Sequence, residues 1–366
     1  MDAKTYTWFV TQTELHSQQL LPNTVIQLLA GVLGVLGNSI VLLMYSRYIQ
    51  DSTGSRYFIP ILAVVDLAGC VSNVTEFHLE DTLQYFYPDL ILCKVSSFLM
   101  IMLGSLSALL IFVIALQRYL LICRPFGQQM TTGRRRVAIL ICVLLACAGA
   151  TPAFHFAELR KFEVINVTGL LPSVCSFGYG SKVMLPYMGT LLFGSIITII
   201  CTVCVYIPVI RKIHKRFHSK TNQRKWGPRE TSSAGMETSV MVKTVSTKYE
   251  ENFSEHVMRS TSESIPVKTI KTKKPYREQK NRYISIMFMT IIIVYIVSFV
   301  TSLITSVYET LNGKPENGDM LNMYYFFIRF NLLNHISNPY IYWFFDVKFR
   351  LELHNLFCQL HCRKRY

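Results

Sequence analysis

The chain has 366 residues, of which 51% are apolar and 16% are charged, and its formal net charge is +15. This composition is too apolar for an ordinary soluble domain of the same length, so it indicates a protein whose solvent is the lipid bilayer. A basic face against anionic lipid explains the positive charge, which therefore does not argue for nucleic-acid binding.

Seven segments are long and apolar enough to cross a bilayer, for which a helix needs about 20 residues. They cover roughly residues 24–46, 57–79, 94–122, 136–156, 183–210, 284–307 and 321–345. The preceding residues 1–23 carry Asp2, Lys4 and Glu14 and have no apolar core. We therefore expect an extracellular N-terminal segment without a cleavable signal peptide.

Lysine and arginine predict the orientation of these spans. With the N-terminus outside, the cytoplasmic segments hold 30 of the 37 basic residues and the extracellular segments hold 7. Because basic residues concentrate on the cytoplasmic side of membrane proteins, the sequence predicts a multi-pass protein with an extracellular N-terminus and a cytoplasmic C-terminus.

Two of the ten cysteines fall in extracellular segments. Cys93 begins the third span, and Cys175 lies between the fourth and fifth spans. The oxidising exterior predicts a disulfide between them, and two free thiols are the alternative.

Residues 213–280, between the fifth and sixth spans, are polar, basic and rich in Ser and Thr. This composition predicts a disordered cytoplasmic loop. Since residues 343–366 contain neither Ser nor Thr, regulatory phosphorylation would have to use this loop. Its candidate sites include Thr231, Ser232, Ser233, Ser260, Thr261 and Ser262.

The last span contains the sequence Asn338-Pro339-x-x-Tyr342. A proline inside a membrane helix removes one backbone hydrogen bond and lets the helix bend, while a neighbouring Asn can satisfy the freed carbonyl. This stretch resembles the Asn-Pro-x-x-Tyr motif of rhodopsin-like (class A) G protein-coupled receptors. Asn38, which matches a family Asn of helix one, is expected to tie helices one, two and seven together.

The resemblance covers most of the chain and implies an all-α membrane protein. It implies a seven-transmembrane helix bundle over residues 24–345 and a short amphipathic eighth helix with a tail on the cytoplasmic surface, residues 346–366. The apolar stripe predicted for this helix contains Phe345, Phe349, Leu353, Leu356 and Phe357. Cys358 and Cys362 at its end are expected palmitoylation sites. A metal site formed by His354, Cys358, His361 and Cys362 is the alternative.

Gln117-Arg118-Tyr119, at the cytoplasmic end of the third span, resembles the family's Asp-Arg-Tyr triplet with Gln in place of Asp. The resemblance implies that Arg118 is restrained at rest and later contacts the G protein. Because Gln117 carries no charge, we expect a weaker restraint and elevated basal activity. An interfacial charge that reaches toward the lipid headgroups is the alternative for Arg118. The other predicted switch residues are Tyr206, Asn338, Pro339 and Tyr342.

Asp66 lies in the middle of the second span, where an ionisable residue is expensive and indicates function. Its family counterpart binds a sodium ion with polar groups of helices three and seven, which Ser107, Asn334 and Asn338 match here. Oxygen-bearing side chains suit a hard cation, so we favour an allosteric sodium site and expect no other cofactor. The alternative is a protonated or hydrogen-bonded Asp66 that holds helices together.

The extracellular end is expected to bind the ligand. Met100 stands where amine receptors of the family carry Asp, which disfavours a monoamine. A ring of carboxylates would instead attract a basic peptide; it comprises Glu76, Glu80, Asp81, Asp89 and Glu309. The alternative is internal pairing, in which Arg329 neutralises Glu76. Candidate ligand contacts are Glu76, Met100, Phe299, Glu309 and Arg329, and a candidate glycosylation site is Asn166.

The resemblance thus implies a plasma-membrane receptor, not an enzyme, that binds an extracellular ligand, expected to be a neuropeptide, and activates heterotrimeric G proteins. Arrestin, through the third cytoplasmic loop, and membrane lipid are further expected partners. A receptor of this fold for a non-peptide ligand remains an alternative, as does a channel or transporter, although no internal repeat supports the latter. An opsin is excluded because the seventh span has no Lys to form a Schiff base.

Overall fold

The computed structural model describes residues 3–49, 54–162, 171–177, 184–225, 274–315 and 318–363. Within these ranges the chain forms nine α-helices and one two-stranded sheet. The elements are α1 (Ala3–Leu43), α2 (Ile59–Thr82), α3 (Leu90–Cys123), α4 (Thr132–Phe156), β1 (Ala157–Lys161), β2 (Ser173–Phe177), α5 (Met184–Lys225), α6 (Lys274–Asn312), α7 (Gly318–Ile328), α8 (Leu332–Phe345) and α9 (Val347–Arg363).

Among the described residues, six helices are long and apolar enough to cross a membrane, and they correspond to the first six predicted spans, with the second and fifth starting slightly later than predicted. The seventh predicted span, residues 321–345, is divided into α7 and α8. Between them the backbone tightens into i to i+3 hydrogen bonds, such as Leu332 N to Arg329 O at 3.0 Å. A short 3₁₀ stretch inside a helix marks a local break. We refer to α7 and α8 together as the seventh crossing.

Helix α3 lies at the centre of the bundle. Its residues Leu110, Ile111 and Ile114 pack in one buried cluster with Met287 and Phe288 of α6. Many large apolar side chains on the outer faces of the helices are exposed, as on α5 and α6. Apolar surface on this scale is unfavourable in water and suits contact with lipid tails.

Helix α1 begins at Ala3, so residues 3–23 are helical and continuous with the first span. The ring of Phe9 lies 5.3 Å from that of Tyr85 and 5.0 Å from that of Phe162. Further along, Leu20 is buried against α7. The sequence analysis predicted the location of this segment but not its helical structure, which these contacts stabilise.

Strands β1 and β2 form an antiparallel hairpin in which Leu159 opposes Cys175. A disulfide joins Cys175 to Cys93 at the start of α3, as predicted, with the two Cα atoms 5.6 Å apart. Ser173 N also donates to Tyr85 O, 2.7 Å away. The hairpin was not predicted, because its pairing depends on these tertiary links. We call this end of the bundle the disulfide end and the opposite one the Arg118 end.

The fifth and sixth helices extend beyond the bounds predicted from apolar residues. Helix α5 continues to Lys225 and α6 starts at Lys274, so the predicted disordered loop 213–280 is helical at both ends. Lys, Arg and Gln favour helix formation, which explains why the polar ends continue the helices. The rest of that loop, including the candidate phosphorylation sites, lies outside the described residues.

Candidate functional site

The predicted switch residues of α3 are closed off by the loop between α1 and α2. Arg118 is fully buried, donates from Nη2 to the carbonyl oxygen of Ser55, and places its guanidinium 4.4 Å from the ring centre of Phe288 on α6. Gln117 Nε2 donates to Gly54 O at 2.9 Å. Backbone carbonyls thus accept hydrogen bonds from both side chains. In the family triplet, an acidic residue stands in the place of Gln117.

The other predicted switch residues lie on α5 and α8. The hydroxyl of the buried Tyr206 donates to the carbonyl oxygen of Ser285 on α6. Tyr342 is fully buried, with its ring 6.0 Å from that of Tyr45. These contacts tie α5 to α6 and α8 to the end of the first crossing.

Pro339 packs directly on Gly37 of α1. A Cβ atom at Gly37 would lie 2.9 Å from two carbons of the proline ring. Asn38, the next residue, donates from Nδ2 to the carbonyl oxygen of His335 at 2.8 Å. That carbonyl is the one that Pro339 leaves without its helical donor. The freed carbonyl is satisfied from α1, whereas Asn338, the Asn beside the proline, points to Asp66 instead.

The four predicted sodium ligands form two hydrogen-bonded pairs. Asn338 Nδ2 donates to Asp66 Oδ2 at 2.6 Å, and Asn334 Nδ2 donates to Ser107 Oγ at 3.0 Å. The other oxygen of Asp66, Oδ1, lies 2.9 Å from Nδ1 of His335. His335 was missed by the sequence analysis. Its signal was available, because an ionisable residue inside a span is itself an indication of function.

A buried ion pair at the Arg118 end was also missed. Asp346, between α8 and α9, accepts from Arg56 through two hydrogen bonds, Nε to Oδ2 at 2.6 Å and Nη2 to Oδ1 at 2.8 Å. Tyr45 donates to it as well, at 2.8 Å. Asp346 follows the seventh crossing; its burial raises the pKa, but the Arg56 guanidinium outweighs burial and holds that pKa below its usual range. This cluster fixes the start of α9.

At the disulfide end, Arg329 pairs with two carboxylates of the predicted ring, as the alternative of internal pairing had it, but Glu76 is not its partner, and that part of the alternative is wrong. Its Nη2 lies 2.7 Å from Glu80 Oε2 and 2.8 Å from Asp81 Oδ1. Its guanidinium stacks 4.4 Å from the ring centre of Tyr325. Arg329 sits at the break between α7 and α8, which rotates it toward these two residues of α2.

The remaining carboxylates of the predicted ring have other partners. Glu76 accepts a hydrogen bond from the Tyr87 hydroxyl at 2.9 Å and forms no ion pair with the described residues. Glu309 accepts from Tyr324 at 2.6 Å and lies 4.0 Å from Lys314. Asp89 instead caps the N-terminus of α3.

Residues 37–342 match the family described as 7 transmembrane receptor (rhodopsin family). The chain belongs to this receptor family. It is therefore a multi-pass membrane protein of a family of receptors. Four of the candidate ligand contacts of this receptor are half-buried, and two of these, Met100 and Phe299, lie on α3 and α6.

Individual relatives resemble parts of the receptor. It is 28% identical to the human vasopressin V1b receptor over 52% of this chain and 45% of the relative. It is 32% identical to the human motilin receptor over 40% of this chain and 36% of the relative. It is 26% identical to a Gq-coupled rhodopsin of Mizuhopecten yessoensis over 51% of this chain and 38% of the relative. The matched regions span less than half the length of these relatives.

A solved structure resembles the receptor over more of its length. The crystal structure of squid rhodopsin superposes with a TM-score of 0.64 at 16% identity and covers 95% of this chain and 87% of the other. At this identity the likeness shows the fold alone.

Three residues predicted to be modified or to bind a metal are not fully described by the structure. Asn166 and the side chains of His361 and Cys362 lie outside it. His354 Nδ1 lies 3.7 Å from Cys358 Sγ on the exposed face of α9. The described residues contain no group of three or more metal-ligating side chains.

Proposed function

We propose that this chain is a plasma-membrane receptor, with its N-terminus outside, that binds an extracellular peptide and activates a heterotrimeric G protein. The observation that carries the proposal is the burial of Arg118 at one end of α3. Ser55 and Phe288 cover its guanidinium. A shift of α6 away from α3 would uncover a cationic donor for a partner that docks at the Arg118 end.

The proposed ligand is a peptide with a basic group. The human receptors for vasopressin and motilin, both peptides, are among the relatives, and Met100 offers no partner to a small amine. Glu76 supports a basic group, because its carboxylate has a tyrosine donor but no ion pair among the described residues. Phe299 and Glu309 are further proposed contacts, whereas Arg329 is engaged by α2 and takes a structural role.

The decisive experiment measures nucleotide exchange on heterotrimeric G proteins in membranes that contain the receptor, with a panel of basic neuropeptides. We expect at least one peptide to stimulate exchange and Arg118→Ala to abolish the response. Arg47→Ala, an exposed arginine at the same end, is the matched control and should respond normally. A peptide-gated current without nucleotide exchange would show a channel instead.

The ligand contacts are tested with the same assay. Glu76→Gln removes the charge but keeps the hydrogen bond from Tyr87, so we expect a loss of peptide potency of about tenfold or more. Glu158→Gln, an exposed carboxylate on β1, is the control. Equal potency of the Glu76 variant and the parent would place the basic group of the ligand elsewhere.

Basal activity is also proposed to be elevated, because Gln117 supplies no negative charge to Arg118. Its amide is held by Gly54 instead. Ligand-free nucleotide exchange should exceed that of membranes without the receptor. Equal rates in the two membranes would eliminate this part of the proposal.

The other proposed partners and modifications are consistent with an extracellular N-terminus and a cytoplasmic C-terminus. Cys358 and Cys362 would be acylated by palmitate at the membrane surface, and Asn166 would carry a glycan on the outside. Arrestin would engage the loop between α5 and α6. No cofactor is proposed.

A further inference from the structure

We propose that the imidazole of His335 takes the place that a sodium ion would occupy beside Asp66, so that this receptor does not bind sodium there. Sodium is the one metal that the family resemblance implies for this receptor. The residues predicted to bind it already form hydrogen bonds with one another and with His335.

The carboxylate of Asp66 is fully buried, and both of its oxygens are engaged. Oδ2 accepts from Asn338 at 2.6 Å and Oδ1 lies 2.9 Å from His335 Nδ1. An ionised carboxylate only accepts hydrogen bonds, so with Asp66 ionised both neighbours present N–H groups to it. Two N–H groups with positive hydrogen ends surround the place where a cation would need oxygen ligands.

The other two predicted ligands are no better suited to sodium. Asn334 turns its amide nitrogen to Ser107 Oγ at 3.0 Å, so the serine hydroxyl oxygen already accepts a hydrogen bond. In both pairs the asparagine contributes a donor. The Oδ1 atoms of both asparagines have no hydrogen-bond partner among the described residues, so what disfavours the cation is the carboxylate of Asp66 itself, whose two oxygens face an imidazole nitrogen and an amide N–H.

The position of the imidazole is fixed by two neighbouring helices. Gly69, three residues after Asp66 on α2, leaves room for the ring, because a Cβ atom there would lie 2.8 Å from Nδ1 and 2.9 Å from Cε1. From α1, Asn38 holds the carbonyl oxygen of His335. The glycine on α2, which has no side chain, and the amide of Asn38 on α1 thus place this histidine against Asp66.

The physical reason is the cost of a buried carboxylate. A charge without partners in a dry interior is strongly unfavourable, so Asp66 needs either a cation or a set of donors. His335 is covalently part of the receptor, so its contribution does not depend on the sodium concentration. A receptor built this way would keep the same stability when sodium is replaced by a larger cation.

Thermal unfolding of the purified receptor tests this inference, with sodium chloride compared with choline chloride at equal ionic strength. An ion that binds the folded state raises Tm. We expect equal Tm values in the two salts for the unmodified receptor. His335→Ser removes the ring and adds an oxygen, so it should gain a saturable sodium-specific rise of about 2 °C or more. Adding Asp66→Asn should abolish that gain.

The matched control is His354→Ser on the exposed face of α9, for which the two salts should give equal Tm values. A sodium-specific rise in the unmodified receptor that Asp66→Asn removes would overturn the inference, and this measurement does not depend on whether any histidine variant folds. A folded His335→Ser receptor that gains no sodium response would overturn it equally, since the histidine would then not be what excludes the ion. Neither measurement uses G protein activation, so failure of the proposed function leaves the result interpretable.

Discussion

The side-chain amide of Asn38 donates to the carbonyl oxygen of His335, which lies four residues before Pro339. The proline cannot donate to this carbonyl, so α1 supplies the hydrogen bond that the helix lacks. The same amide also donates to Gly34 O on its own helix. The proline-containing turn of the seventh crossing is therefore stabilised by a neighbouring helix.

Asn38→Ala should lower the stability of the receptor. It leaves the His335 carbonyl buried without its donor, which costs about 1–3 kcal/mol. The measurement is Tm of the purified receptor. Asn312→Ala is the control, because Asn312 makes a similar hydrogen bond to a carbonyl four residues earlier but is exposed. Equal losses for the two variants would contradict the role of the freed carbonyl.

Gly37→Ala should destabilise the packing of α1 on the proline. The added methyl group would lie 2.9 Å from the Pro339 ring, and overpacking of this kind costs about 1–3 kcal/mol. Gly104→Ala is the matched control, because a Cβ there meets nothing within 4 Å and alanine favours the helix. We expect a lower Tm for the first variant and an unchanged or higher Tm for the second; the reverse order would refute the close contact.

Arg329→Gln should be strongly destabilising, because it leaves Asp81 buried without a cation. Breaking a buried ion pair by removing one partner costs about 3–5 kcal/mol. Arg160→Gln, on the exposed face of β1, should have little effect. The Tm from thermal unfolding and the yield of folded receptor measure the effect of each substitution.

The double variant with Asp81→Asn separates charge from packing. Removing the stranded carboxylate charge should recover part of the stability lost in Arg329→Gln. If the double variant were as unstable as the sum of the two single changes, the pair at 2.8 Å would contribute no coupling.

The Arg56–Asp346 pair should make stability depend on pH. The pKa of Asp346 in the folded receptor lies below its usual value, which is about 3.9 in an unfolded chain. A lowered pKa gives stability that is fully present above about pH 4 and is lost as pH falls through the folded value. Tm of the parent should therefore fall more steeply than that of Asp346→Asn between about pH 5 and pH 3. Parallel curves of Tm against pH would contradict a pKa of Asp346 that differs between the folded and unfolded states.

Two features of the receptor were predicted from the sequence. The family resemblance implied that Asp66 and Asn338 lie together, and the extracellular position of Cys93 and Cys175 predicted their disulfide. The seven crossings follow from apolar length. These features need no knowledge of helix rotation or of local breaks.

The missed features depend on just such details. Pairing of Arg329 with Glu76 was one of two alternatives, and the structure pairs this arginine, at the break of residues 329–331, with Glu80 and Asp81 instead. His335 was missed because the space for its ring comes from Gly69 on another helix. The helical start of α1 depends on aromatic contacts distant in sequence.

Helix α1 is continuous over 41 residues, which at 1.5 Å per residue is about 60 Å. Phe9 near one end of this helix packs against Phe162, and Asn38 near the other donates to the carbonyl oxygen released by Pro339. Pro22 lies between these two contacts, and a proline inside a helix removes a hydrogen bond and lets the helix bend there. The two halves of α1 are therefore anchored separately, so shortening the N-terminus would remove the contact with Phe162 and leave the hydrogen bond of Asn38 in place.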